Sequence, residues 1–470
     1  MGEVAVPLFE PTFNRSVQVT RSLLALTEDA GTILLREASR RLGLDALLDA
    51  LPDSRDPLHI TYGLPELVRT RVLMLAQGWG DQGDATALRQ DPAFRVAVSN
   101  RAGAAVVDDD VTLASQPTLS RMQHMLASRS GTATLDYSLR AVGLRRIRTA
   151  EPQRRRLTFD MDTLPVEVHG HQDASSYNTH YGCTCFQPLI LFSETGDLLA
   201  TRLRGSANPT AVEAFEFLAP VLDAAVAEGF EHLCVRMDCG FANAYIMREL
   251  DKRRVKFITR LRSTAALHRR CEDWFQRQLR AWRESPAADG KPRTATYEIW
   301  ERAQKAGPIR RIIAVTVEPA PGELFGKRFY LCTSFSRREG GSLELLTFYR
   351  QRGTAETYIG EFVREMVPSM RAVPRGTDPG AVTIWDNNVA LLLGALAYEL
   401  VHHLRRGIEK KLVEGWSIAR VRERILKVAT SVIRHARKIV FRLCPIKAAL
   451  WEALVEAIAP DAQLALEVAR

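Results

Sequence analysis

Apolar residues recur at three- and four-residue spacing over Ala30 to Ala50, Leu64 to Gln77 and Pro117 to Ser128, which predicts a mainly helical region in the first 150 residues. The period then changes. Over Leu157 to Thr163 (LTFDMDT) it is strictly two: Leu157, Phe159 and Met161 face one way, Thr158, Asp160 and Asp162 the other, as in a strand. The runs PLILF and DLLATRL flank Ser193-Glu194-Thr195-Gly196 as the two arms of a hairpin. Asn208-Pro209 opens a helix from Pro209 to Glu228. A buried strand (HLCVRMD, His232 to Asp238), a helix (Asn243 to Arg253) and a further strand (VKFITRL, Val255 to Leu261) follow.

Three consecutive strands, then helix, strand, helix, strand, is the order of an RNase H-like α/β fold. Ala265 to Trp282 reads as helix, and strand-like runs follow at Thr296 to Trp300, Ile309 to Val317 and Arg328 to Phe335. These strands interrupt the alternation, so residues 263–335 are expected to be a mainly β insertion in the α/β core. A strong helical pattern runs from Ser342 to Met366 with a break at Gly353. The expected organisation is a helical N-terminal region (1–150), a first core part (151–262), the insertion (263–335), a second core part (336–404) and a basic helical C-terminal region (405–470).

A chain of 470 residues has room for two to four domains, and its 46% apolar and 25% charged composition is that of a folded protein. The net charge of +9 points to a polyanionic partner, most often nucleic acid. It is not evenly spread. From Arg405 to Arg442 there are twelve Lys or Arg and three Glu, a surplus equal to that of the whole chain. A second basic stretch, Arg140 to Arg156, reads as a linker able to touch phosphate. The most apolar stretch holds only 12 uncharged residues between Asp386 and Glu399, short of the roughly 20 that a membrane-spanning helix needs. The N-terminal segment has no basic start followed by an apolar run, and seven scattered cysteines fit free thiols in a reducing compartment. A cytoplasmic, nucleoid-associated protein is expected.

Acidic residues stand where chemistry could use them. Asp160 and Asp162 emerge on one strand face, and Asp238 closes a second strand before Cys239-Gly240, a position where α/β folds place ligands. Each alone could be a solvated strand-end aspartate. Tyr349, Arg352 and Glu356, at offsets of zero, three and seven, share a helical face, which by itself is also the pattern of an ordinary surface Arg–Glu pair. Taken together, two strand carboxylates and a helix carboxylate can converge on a pair of divalent cations. Mg²⁺ takes hard oxygen ligands and keeps open positions for phosphate and water, and two such ions activate the attacking oxygen and stabilise the leaving one. His169, His171, His180, Cys183 and Cys185 offer a rival zinc site, but Cys-x-Cys lacks the usual ligand spacing. Packed thiols and polar loop histidines are expected there instead.

These residues resemble the DDE transposases of insertion sequences. The resemblance runs almost end to end, through GWGDQGDATALRQDPAF (Gly78 to Phe94), SQPTLSR (Ser115 to Arg121), LTFDMDT followed by Val168-His169-Gly170, VRMDCGF, and YRQRGTAE (Tyr349 to Glu356). It implies an RNase H-like catalytic core in which Asp162, Asp238 and Glu356 are catalytic and hold two Mg²⁺, with Mn²⁺ able to substitute. The Asp-x-Thr-like context favours Asp162 as first carboxylate, with Asp160 the other candidate. The resemblance also implies Tyr349 and Arg352 on phosphate, a β insertion in the 118 positions between Asp238 and Glu356, and double-stranded DNA (transposon ends and target) as partner. A homodimer in the assembled complex and cut-and-paste movement through a water and then a 3′-hydroxyl nucleophile are implied too. One departure stands out: the family's helix usually carries a Lys seven positions after the Glu, where this chain has Val363, with Arg364 beside it.

For the DNA-binding regions, Ser115-Gln116-Pro117-Thr118 can cap a helix presenting Ser120 and Arg121, as a helix-turn-helix reader would or as any capped helix does. Arg434, Arg437 and Lys438 in the basic tail are expected to bind phosphate without reading sequence. The rival functions are a DNA-binding protein of transposase descent without catalysis, and a metal-dependent nuclease that cuts but does not join.

Overall fold

The computed structural model describes residues 7–9, 16, 19–20, 25–101, 103–169, 172–285, 291–302, 308–320, 323, 326–372, 382–412, 415–435 and 437–458. The chain forms two compact units, residues 123–399 and residues 1–122 together with 400–470.

The 123–399 unit is mixed α/β. The strands of its main sheet are β1 (Arg156–Thr163), β2 (Leu189–Ser193), β3 (Leu198–Arg202), β4 (His232–Met237), β5 (Lys256–Leu261), β6 (Thr294–Arg302), β7 (Ile309–Val317) and β8 (Lys327–Thr333). They form one eight-stranded sheet in the order 6-7-8-5-4-1-2-3. β4 runs parallel to β1 and to β5, and the other pairings are antiparallel. Its helices include α1 (Arg129–Ala150), α2 (Ala211–Ala227), α3 (Ala244–Lys252), α4 (Ala265–Glu284), α5 (Ser342–Arg350) and α6 (Gly353–Glu365).

The two-residue period of β1 decides which face is covered. Leu157, Phe159 and Met161 join Leu191, Val235, Met237 and Phe257 in a core capped by α1, α2 and α3 through Ile147, Leu218, Val221, Ile246 and Leu250. Burying such side chains stabilises by about 1.5–3 kcal/mol each, which fixes the strand's register. The opposite face of the sheet takes α5, where Leu345 and Leu346 pack on Ile258, Ile313, Val315 and Leu331. α2 starts where Thr210 caps Glu213 and the Glu213 side chain reaches back to Thr210, a reciprocal capping box.

Several expectations change. The strands of the 263–335 block, which break the alternation of helix and strand, join the main sheet: β8 pairs antiparallel with β5, so β6 to β8 extend that sheet, and the 20-residue helix α4 packs against them. The Arg140 to Arg156 stretch is no linker. α1 continues to Ala150, Arg140 pairs with Asp136 at 3.0 Å, and Arg146 forms a buried pair with Asp197. Arg148 donates to the carbonyls of Pro152, Arg154 and Glu228, and Arg154 pairs with Glu194. These arginines are taken up by structure, because a buried guanidinium needs acceptors.

In the other unit the helices include Thr32–Arg41, Leu64–Gln77, Pro92–Val98 and Gln116–Leu126. The basic tail is not helical throughout. Thr430–His435 and Lys438–Arg442 form a hairpin whose first strand pairs with Leu26–Thr27, so segments from both ends of the chain share a small sheet. Alternate burial of Thr430 and Val432 explains why this β-branched run chose strand. Among the described residues no helix is long and apolar enough to cross a membrane.

Candidate active site

β1 and β4 lie side by side in register, with Asp160 opposite Arg236 and Met161 opposite Met237. The next residues along these parallel strands are Asp162 and Asp238, so both carboxylates leave the same end of the sheet from adjoining strands. Asp238 is fixed by local geometry: its Oδ1 accepts from Gly240 N at 2.9 Å, and its carbonyl accepts from Thr259 Oγ1 at 2.9 Å. Asp162 Oδ1 accepts from Thr163 N at 2.9 Å.

The helical motif arrives from the other side. α5 ends at Arg350, and α6 begins at Gly353, so the break falls just before the glycine. Three-residue hydrogen bonds, Arg352 N to Tyr349 O at 3.0 Å and Ala355 N to Arg352 O at 2.9 Å, keep the junction tightly wound. Arg352 sits in that junction with its guanidinium mostly buried, pairing through Nη2 with Asp162 Oδ2 and through Nη1 with Glu356 Oε1 at 3.4 Å. Glu356 is exposed in the first turn of α6. Tyr349 donates to the Met237 carbonyl at 3.3 Å, one residue before Asp238, and burial pushes its hydroxyl up to about 12. The motif therefore reaches both strand ends: Tyr349 contacts β4, and Arg352 contacts β1.

The electrostatics are those of crowded carboxylates. Burial pushes Asp162 up to about 6, Arg352 and the Thr163 amide oppose the shift, and the charges of Asp238 and Glu356 add to it. Asp160 has a different fate. It is buried and held by both arms of the Arg236 guanidinium, at 2.7 Å and 2.6 Å. Arg236 was missed at the sequence level, although an arginine inside the apolar strand HLCVRM signals a buried charge with a partner.

Other expected contact residues lie elsewhere. Arg364 is exposed in the last turn of α6, and Val363 beside it is half-buried. In the other unit, Ser120 is tied to Gln82 at 2.9 Å and Gln116 at 3.0 Å, whereas Arg121 is exposed and bonded to Thr118. Arg434 forms an ion pair with Asp108; Arg437 sits in the hairpin turn at φ 69°, and Lys438 follows it.

The donor set fits a hard divalent cation. It is all oxygen, its charges repel one another, and two of its members are already held to a positive guanidinium. As they lie, no three His, Cys, Asp or Glu among the described residues are gathered closely enough to hold a metal ion. Arg352 stands between two of the three carboxylates concerned. As for the zinc alternative, Cys183 and Cys185 are free thiols on the strand Cys183–Phe186, with burial pushing Cys185 up to about 11. His169 and His180 are exposed, and His171 lies outside the described residues.

Among solved structures, the chain is similar to a piggyBac transposase synaptic complex with hairpin DNA, determined by cryo-EM, at 12% identity and a TM-score of 0.37. That match covers 95% of this chain and 84% of the other. No curated protein matches the sequence. The model of the family described as transposase DDE domain group 1 matches residues 9–460, and the chain belongs to that family.

Proposed function

We propose that this protein is a DNA transposase that cleaves strands at the ends of its own mobile element and joins them to target DNA by cut-and-paste movement. The observation that carries this reading is the Arg352 guanidinium joining Asp162 to Glu356, with Asp238 on the adjoining strand end. The order 3-2-1-4-5 within the sheet, with β4 parallel to both neighbours, supports an RNase H-like core, to which β6 to β8 and α4 are the insertion.

In this reading Asp162, Asp238 and Glu356 hold two Mg²⁺ or Mn²⁺ ions. When bound, such ions supply a deprotonated oxygen nucleophile and charge stabilisation on the leaving oxygen. The protein's own residues do the rest. Arg352, released from the carboxylates, offers its planar fork to a phosphate of the cleaved strand. Tyr349 keeps its proton at neutral pH and acts as a hydrogen-bond donor. Arg364 takes over the phosphate contact for which Val363 has no charge.

The test uses purified protein with plasmid DNA carrying the sequences that flank its gene. Asp162→Asn, Asp238→Asn and Glu356→Gln are each expected to bind that DNA as the wild type does and to nick it slower by about 10²–10³-fold, the scale of losing one essential electrostatic interaction. Full nicking by both Asp238→Asn and Glu356→Gln would overturn the assignment. Nicking without joining of the freed ends would leave a metal nuclease; binding with neither would leave a non-catalytic descendant.

A further inference from the structure

Arg236 has no role assigned above, yet it joins β1, β4 and the end of α5, the elements that lead into the site. Its side chain is fully buried. Nε and Nη2 grip Asp160, two residues before Asp162 on β1, at 2.7 Å and 2.6 Å. Arg236 itself lies two residues before Asp238 on β4. Nη1 donates to the Phe348 carbonyl at 2.9 Å and reaches Gln351 Oε1 at 3.4 Å, bracketing Tyr349 and adjoining Arg352. The guanidinium carbon also lies 5.0 Å from the centre of the Phe348 ring. The Phe348 carbonyl is one of those left without an intrahelical partner at the end of α5, so Arg236 caps the helix that the motif continues.

Stability is a poor reason for such a pair. Taking two charges out of water costs about as much as their attraction returns, and apolar side chains of similar volume often serve equally well. What apolar packing lacks is direction: a planar fork fixes angle and distance on both arms at once. We infer that Arg236, through its Asp160 grip, is a positioning residue that sets Asp162, Asp238 and the Tyr349–Glu356 segment at the separation the reaction needs. The inference rests on the proposed transposase reading of those carboxylates.

The experiment compares nicking of supercoiled plasmid DNA in Mn²⁺ by wild type, Arg236→Lys, the double variant Asp160→Leu with Arg236→Met, and Asp162→Asn. Lysine keeps a charge opposite Asp160 but cannot grip Asp160 and Phe348 together. Arg236→Lys is expected to keep its circular dichroism and its KM for plasmid while kcat falls about 100-fold, the scale of a 1 Å misplacement. Its Mn²⁺ affinity, read by electron paramagnetic resonance without DNA, should weaken as well. The double variant removes both buried charges and keeps the volume apolar, so it tests the same point if Arg236→Lys does not fold. It is expected to melt near the wild type and nick as poorly as Arg236→Lys. Wild-type kcat in a folded Arg236 variant, with Asp162→Asn inactive, overturns the clamp alone. Wild-type kcat in Asp162→Asn as well would bring down the carboxylate assignment and the clamp with it.

Discussion

Asp160 and Asp162 share a strand face and are two residues apart, yet one faces a buried arginine and the other feels the charges of two more carboxylates. Replacing Asp160 by Asn would leave Arg236 buried and half-partnered, so its main effect should be on folding, of about 3–5 kcal/mol as for other broken buried pairs. Asp162 should behave in the opposite sense. Its carboxyl is raised from 3.8 to about 6, so the folded metal-free protein holds that proton more tightly than the unfolded chain does. Its contribution is therefore favourable below about pH 4 and is lost as pH rises to about 6, at a cost of roughly 3 kcal/mol at most. Asp162→Asn is expected to melt above the wild type at pH 8 without metal, and level with it at pH 4. Thermal melts across that range decide it, and a variant melting lower at pH 8 would be the contrary result. Mg²⁺ should narrow the difference, because it stabilises the charged carboxylate that Asn lacks.

At the scale of elements, α6 packs closely on one turn of the sheet. Gly196 closes the β2–β3 hairpin at φ 84°, and a Cβ there would lie 2.7 Å from the Tyr358 ring on α6. Gly196→Ala should thus strain the backbone and push on the helix that carries Glu356, costing about 1–3 kcal/mol. Chemical denaturation would measure the cost; no change in midpoint would mean that the turn and helix are not coupled. The GWGDQGD segment likewise has a structural use. Burial raises the Asp29 carboxyl, which accepts from Trp79 Nε1 at 3.1 Å and pairs with Lys427 at 2.7 Å, while Lys427 lies 4.1 Å over the Trp79 ring. Arg71, pushed down to about 10 by burial, donates to the carbonyls of Trp79 and Gly80. Asp29, Trp79 and Lys427 are all far apart in sequence.

For the molecule as a whole, the surplus of positive charge near the C-terminus is the feature most open to a binding measurement. Neutralising Arg437 and Lys438 should weaken binding to all DNA sequences alike and lower the slope of log K against log salt by about 0.9 for each phosphate no longer neutralised. Arg434 is engaged by Asp108, so removing it should change the slope least. Weakening confined to the element's own ends would make the hairpin a reader of sequence.

Periodicity and capping are local, and the sequence was sufficient for what they control. The two-residue period of β1, the hairpin around Gly196 and the break before Gly353 all lie within a few residues of their cause, although α2 is capped by Thr210 rather than opened by Asn208-Pro209. The acidic candidates could be named as well, because hard-metal chemistry restricts the residue types that could perform it. Tertiary structure alone decided the rest. Arg146 and Arg154 read as available charge until Asp197 and Glu194, distant in sequence, consumed them. Where the β6–β8 strands would pair lay outside local pattern; β8 found the open edge of β5. Asp160 and Asp162 were equivalent by period until the facing strand put Arg236 opposite one of them. A charge's role depends on which partner removes it from water, and that partner can lie far away along the chain.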